Sequence, residues 1–345
     1  MTILEREAKL AKFRRRLLLL ITAALLSSLY GCTMLGSRVD VYAPGELKEK
    51  EFGLYNILED TVWSGNIRVT GDVFVKEGAT LTILPGTVVK FDTIEPKLEE
   101  TGGRNMLGLD SPYFPGAELI VRGRIIAVGT KDQPITFTSS DRAAKPGSWG
   151  AINLLGSNGN VIEYCRVYYA YNGIHNHSST AVVLNNVFSS NGTALSFKKA
   201  DFNHPCWMFI EHNMVVGNKS GISLRNSIAN IAFNDIRDNE FYGIWVREGT
   251  DSRIAFNDIT GNGKGIYLYL APPTKISYNN IYGNREYNIA MAENNPEGVD
   301  ASNNWWGTTD AAAIAKTFFD KTADETLGKV SFEPITRHEI TGTVK

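Results

Sequence analysis

The residues of this chain best suited to chemistry are aromatic and cationic side chains that recur at two positions of a repeating segment: Trp245, Tyr267 and Tyr269, with Lys198, Arg225 and Arg247. Flat rings stack on the apolar faces of sugars, and a row of Arg and Lys takes the carboxylates or sulfates of an acidic polymer. His175 and His177 occupy the same two positions in an earlier copy. On a strand they would face one side about 6.6 Å apart, a spacing that could share a metal ion. Neighbouring copies place no Cys and no third His there, so exposed polar residues are the simpler reading of the pair. The aromatics also have a plain structural reading, because such residues form good strands and make cross-strand pairs while the cations solvate the sheet.

Catalysis asks for more. A polysaccharide lyase needs a base near acidic groups that hold Ca²⁺, and a glycoside hydrolase needs two carboxylates at a set separation. Neither of the two positions carries an Asp or Glu in any copy. Asp235 and Asp258 recur elsewhere, just after a marker asparagine, where they could bind Ca²⁺ but read more simply as solvated corner acids; Asp238 and Glu240 share one turn, Glu248 and Asp251 another. The chain has no nucleotide loop, serine-nucleophile elbow or zinc motif. With 35 basic and 37 acidic residues it offers no argument for nucleic acid as a partner.

What positions these residues is a repeat. IAFNDIRDNEFYGI, IAFNDITGNGKGI and ISYNNIYGNREYNI follow one another, each opening on an apolar-x-aromatic triplet and an asparagine. The marker asparagines Asn213, Asn234, Asn257 and Asn279 are spaced by 21, 23 and 22 residues, and Asn218, Asn239, Asn262 and Asn284 follow each by five. A fixed period of this size means a solenoid. No copy has an apolar stripe at helical spacing, and Gly or Asn interrupts every few residues, which leaves room only for short strands. The expectation is an all-β, right-handed parallel β-helix, each copy one coil of three strands about 4.8 Å above the last. Earlier copies are looser, with Asn185 and Asn191 in the marker positions of one and Cys165 in place of the first asparagine of another. The asparagines suit a corner because Asn tolerates the left-handed backbone and its amide can bond to the amide one coil away.

Alternation then sends Ile174, Leu195, Ile222, Ile244, Ile266 and Ile289 into the core. Two columns are expected to face solvent: His175, Ser196, Ser223, Trp245, Tyr267 and Ala290, and beside it His177, Lys198, Arg225, Arg247, Tyr269 and Ala292.

The ends differ in composition from the coils. In residues 1–31, Lys9, Lys12 and Arg14 to Arg16 precede an apolar run of about ten residues, shorter than the ~20 that span a bilayer. Leu29, Tyr30, Gly31 and Cys32 close the segment, and this pattern resembles a bacterial lipoprotein signal. The resemblance implies that Cys32 becomes the lipidated N-terminus, and Thr33 after it, rather than Asp, implies the outer membrane of the cell envelope. Residues 32–51 read as a polar tether, 52–308 as the β-helix with a loop excursion at 92–116, and 309–345 as a C-terminal cap segment, with Trp305 and Trp306 just before it closing the core. Cys165 and Cys206 are the cysteines left over, and their spacing leaves a disulfide open.

GDVFVKEGATLTILPGTVVKF, LIVRGRIIAVGTKDQPITFTSS with SWGAI, the asparagine-rich coils, and NNWWGTTD with GKVSFEPI together resemble the secreted right-handed parallel β-helix proteins of bacteria, and the coils resemble NosD-like and carbohydrate-binding β-helix modules. That family is diverse in activity, so fold alone does not settle function. The expected function is that of an exported, lipid-anchored binding or scaffold module for cell-surface or extracellular polysaccharide. A polysaccharide lyase or hydrolase, and a structural spacer without a glycan ligand, are the alternatives.

Overall fold

A computed structural model describes residues 49–94, 114, 116–198, 206–271, 274–292 and 295–343. The expected signal at 1–31, the lipidation site Cys32 and most of the 92–116 excursion lie outside the described residues, as does the tether up to residue 48. The described chain winds into three parallel sheets of 10, 11 and 11 strands, each coil adding one strand to each sheet in turn. It is a parallel β-helix.

The register explains the repeat. Asp235–Arg237 in the first sheet, Tyr242–Arg247 in the second and Asp251–Ala255 in the third make one coil, and Asp258–Thr260, Lys264–Tyr269 and Lys275–Ser277 make the next. Ile236 pairs with Ile259, Ile244 with Ile266 and Ile254 with Ile276, so identical side chains stack inside. All six are fully buried, each contributing about 1.5–3 kcal/mol of apolar transfer.

Two buried asparagine ladders run along the corners. In the first, the side-chain amide of Asn213 donates to Asn234 Oδ1 at 2.9 Å, Asn234 to Asn257 and Asn257 to Asn279, each at 2.9 Å, and Asn279 to Asn304 at 3.0 Å. Each amide also donates to a carbonyl of the preceding coil, as Asn257 does to Ile231 at 2.9 Å. The second ladder runs Asn191, Asn218, Asn239, Asn262, Asn284. The structure corrects the sequence reading twice here. The early member of the first ladder is Asn186, which bonds Asn213 and accepts from the Cys165 N–H at 2.8 Å, while Asn185 turns outward to Glu163. The left-handed residue is the one before each ladder asparagine: Phe233, Phe256 and Tyr278 have φ near 60° (60, 61 and 60°). Their rings stack with His212 at centroid spacings of 5.1, 5.2 and 5.5 Å, nearly parallel. Cys165 is buried at the ladder's head, as expected, and burial pushes its thiol well above the usual range. Cys206 is likewise a buried thiol.

The C-terminal end is closed. A short helix, Ala311–Ala315, is capped by the Asp310 carboxylate, which accepts from the N–H groups of Ala312 and Ala313. Phe318–Phe319 then joins the second sheet and Val330–Ser331 the third. Trp306 is buried edge-on against Phe318, 5.0 Å between centroids. Asn280 grips the returning chain with both ends of its amide, accepting from Ile340 N–H at 2.8 Å and donating to Ile340 O at 3.0 Å. Arg285 reaches back across two coils: Nη2 donates to the carbonyls of Asn239 and Glu240, both at 2.8 Å, and Nη1 to that of Gly261.

Candidate functional site

The second sheet carries the aromatic and cationic residues, and its backbone decides which of them share a face. Along Tyr242–Arg247 two successive residues, Gly243 and Ile244, are buried before strict alternation begins. The extra inward residue puts Tyr242 on the same outer face as Trp245 and Arg247. Glycine is required for it, because a Cβ at Gly243 would lie 2.8 Å from the Gly265 carbonyl of the next coil.

Trp245 pairs with Tyr267 across the sheet, and Arg247 with Tyr269, as the alternation predicts. The Trp245 and Tyr267 rings are 5.7 Å apart at 26°, and Tyr242 leans against Trp245 at 5.3 Å and 58°. Tyr242 belongs to the cluster although the sequence reading left it out; the recurrent Gly-Ile pair was its signal. Its hydroxyl engages Ser220, Ser223 and Thr193 in preceding coils, and burial pushes the phenol above its usual range despite those bonds. The Trp245 Nε1–H is shielded from solvent and has no acceptor.

The cations are less available than the sequence implies. Arg225 is paired with Glu248 at 2.5 Å, and Lys264, on the same face, with Glu286 at 2.5 Å. Arg247 lies flat over Trp245, its guanidinium carbon 4.4 Å from the ring centroid. Neither glutamate stands in the two columns; each reaches the face from a turn, so periodicity alone could not reveal it. Lys198 aligns with Arg225 and His177, as the register requires.

The upstream end corrects a further expectation. His177 is buried, only 3 % exposed, and Ser223, Ala290 and Ala292 are buried as well, so the two columns are not uniformly open to solvent. A local aromatic cover lies over His175: Phe114 stacks on Tyr171 at 5.0 Å and meets His175 edge-on at 4.8 Å. The imidazoles of His175 and His177 are 4.5 Å apart, and the Asn172 amide donates to His175 Nδ1 at 3.3 Å. Burial first, then the charges of His177 and Lys198, hold His175 well below the usual imidazole range, so it is neutral at pH 7. Beneath it Glu118 is buried, accepting from Asn153 at 3.0 Å and from the Phe114 N–H at 2.6 Å.

Asp235 and Asp258 do stack, in adjacent strands of the first sheet. Asp235 is bound by Arg237 at 2.9 Å and Asp258 accepts from Asn280 at 2.6 Å. Two carboxylates so engaged fall short of the six to eight oxygens that Ca²⁺ takes.

Residues 135–311 match the family model described as periplasmic copper-binding protein (NosD), and residues 55–164 match a pectate-lyase like beta helix domain. No curated protein matches the chain, and no solved structure does. Copper sites gather imidazole and sulfur ligands. Among the described residues no three His, Cys, Asp or Glu side chains come together as such a site needs. The His175–His177 pair is the nearest approach, and His175 Nδ1 is already engaged by Asn172 with the Lys198 charge beside it. The described residues therefore do not fit a copper centre. The ladders, the three parallel sheets and a match over half of the sequence agree on the larger assignment: the chain belongs to the NosD family of parallel β-helix proteins.

Proposed function

We propose that this is an exported, envelope-tethered β-helix that binds polysaccharide on the face formed by Tyr242, Trp245 and Tyr267. The observation that carries the reading is the ring cluster itself: three aromatic side chains held half-buried on the outside of a sheet, where the core gains little from them, around an indole N–H that lacks an acceptor. Tyr269 and Lys198 extend the same face. The lipoprotein-like ending at Cys32 and the periplasmic description of the family support export and an anchor in the outer membrane. The carboxylates of the face, Glu118, Glu248 and Glu286, are each bound to protein partners, which favours binding over a lyase or hydrolase.

The test is a glycan array on the full chain with its Trp245→Ala variant alongside. Binding that falls more than about tenfold in the variant, at unchanged melting temperature, supports the face as the site. Equal binding by both moves the site elsewhere, and no binding by either leaves the spacer reading in its place. For the anchor, Cys32→Ser should release the protein from membranes or leave an uncleaved precursor; unchanged fractionation and mature size would sink it.

A further inference from the structure

The charge pattern of this face says which glycans it takes. We infer that its ligand is an uncharged saccharide chain, held by stacking on the rings of Tyr242, Trp245 and Tyr267, and not an acidic polymer. The inference rests on the glycan-binding reading above.

An acidic sugar needs cations that project with unspent charge. On this face Arg225 is matched by Glu248 and Lys264 by Glu286. A ligand carboxylate would have to displace those glutamates and would still lie beside them, and like charges at such range repel. Arg247 spends its planar face on Trp245, which widens the flat apolar platform instead of projecting a two-pronged donor. Neutral hydroxyls stand beside the rings, the Tyr242 phenol with those of Ser220, Ser223 and Thr193. Hydroxyls and ring oxygens of a neutral sugar suit that set.

The experiment compares maltohexaose and cellohexaose with an oligogalacturonate of equal length, on the full chain, at low and at high salt. The expected result is binding of a neutral hexasaccharide, unchanged by salt, and weakened more than about tenfold in Trp245→Ala. The double variant Glu248→Gln, Glu286→Gln unmasks two cations and should gain salt-sensitive binding of oligogalacturonate that the parent protein lacks. Salt-sensitive oligogalacturonate binding by the parent protein, lost in Trp245→Ala, overturns the inference and leaves the glycan-binding face standing. Failure to bind either class overturns both.

Discussion

At the corner between the third and first sheets the left-handed residues include His212, Phe233, Phe256 and Tyr278; at the corner between the first and second sheets they are Tyr169, Ser190, Gly217, Asp238, Gly261 and Gly283. Both corners lead into a buried asparagine ladder, and both need φ > 0, which costs a bulky residue about 1–2 kcal/mol. The second corner largely avoids the cost with glycine and small polar residues. The first accepts it in four successive coils and offsets it with ring stacking at 5.1–5.5 Å. A strained backbone is tolerated when the side chain it presents gains a neighbour above and below, and a solenoid supplies both.

The ladder behind each corner should respond most strongly. Asn257→Ala removes donors to Ile231, Ala255 and Asn279 and an acceptor for Asn234, and should cost about 3 kcal/mol in denaturant unfolding. Asn262→Ala at the other corner, where its bonds to Asn284 and Thr260 are only part-buried, should cost less, about 2 kcal/mol. Equal losses would mean that the two ladders contribute alike.

The corner residues themselves come next. Phe256→Ala loses two stacked neighbours and keeps the left-handed strain, for about 2 kcal/mol, whereas Phe256→Gly relieves the strain and should cost about 1 kcal/mol. Gly261→Ala introduces strain without a stack, and its Cβ would sit 2.4 Å from Asp238 Oδ1, so about 1–2 kcal/mol is expected. If Phe256→Gly proves more stable than the parent protein, stacking does not offset the strain. None of these changes should alter glycan binding on the second sheet.

The smallest effect is electrostatic. Burial raises Glu163 above the usual carboxylate range, outweighing the bond from Asn185 at the first corner. A carboxyl whose folded pKa is raised favours the fold at low pH and loses that contribution as pH rises through the folded value. Glu163→Gln should therefore melt slightly higher than the parent at pH 7, with the gain vanishing below about pH 4. A constant difference across that range would locate its cause in packing.

How much of this was legible follows from which interactions repeat. The isoleucine stacks, the two ladders and the alignment of Trp245 with Tyr267 all obey one period, so the sequence displays them. Asn185 was mistaken for Asn186 because the doublet offers two candidates and only the positive φ at Asn185 separates them. His177 looked exposed because strand alternation reports which way a residue points and says nothing of what covers it; its neighbour His175 is met by Phe114, sixty-odd positions earlier, outside the repeat. Glu248 and Glu286 silence two cations from turns, where alternation does not apply.

Arg285 gives the last coils a mechanical property. In a simple solenoid each coil grips only its neighbours, so a pull on the C-terminus would peel coils singly. By holding the carbonyls of Asn239, Glu240 and Gly261 at once, one guanidinium laces three successive turns together. Under load those turns share a single release point, and the strand end resists fraying until that one knot slips.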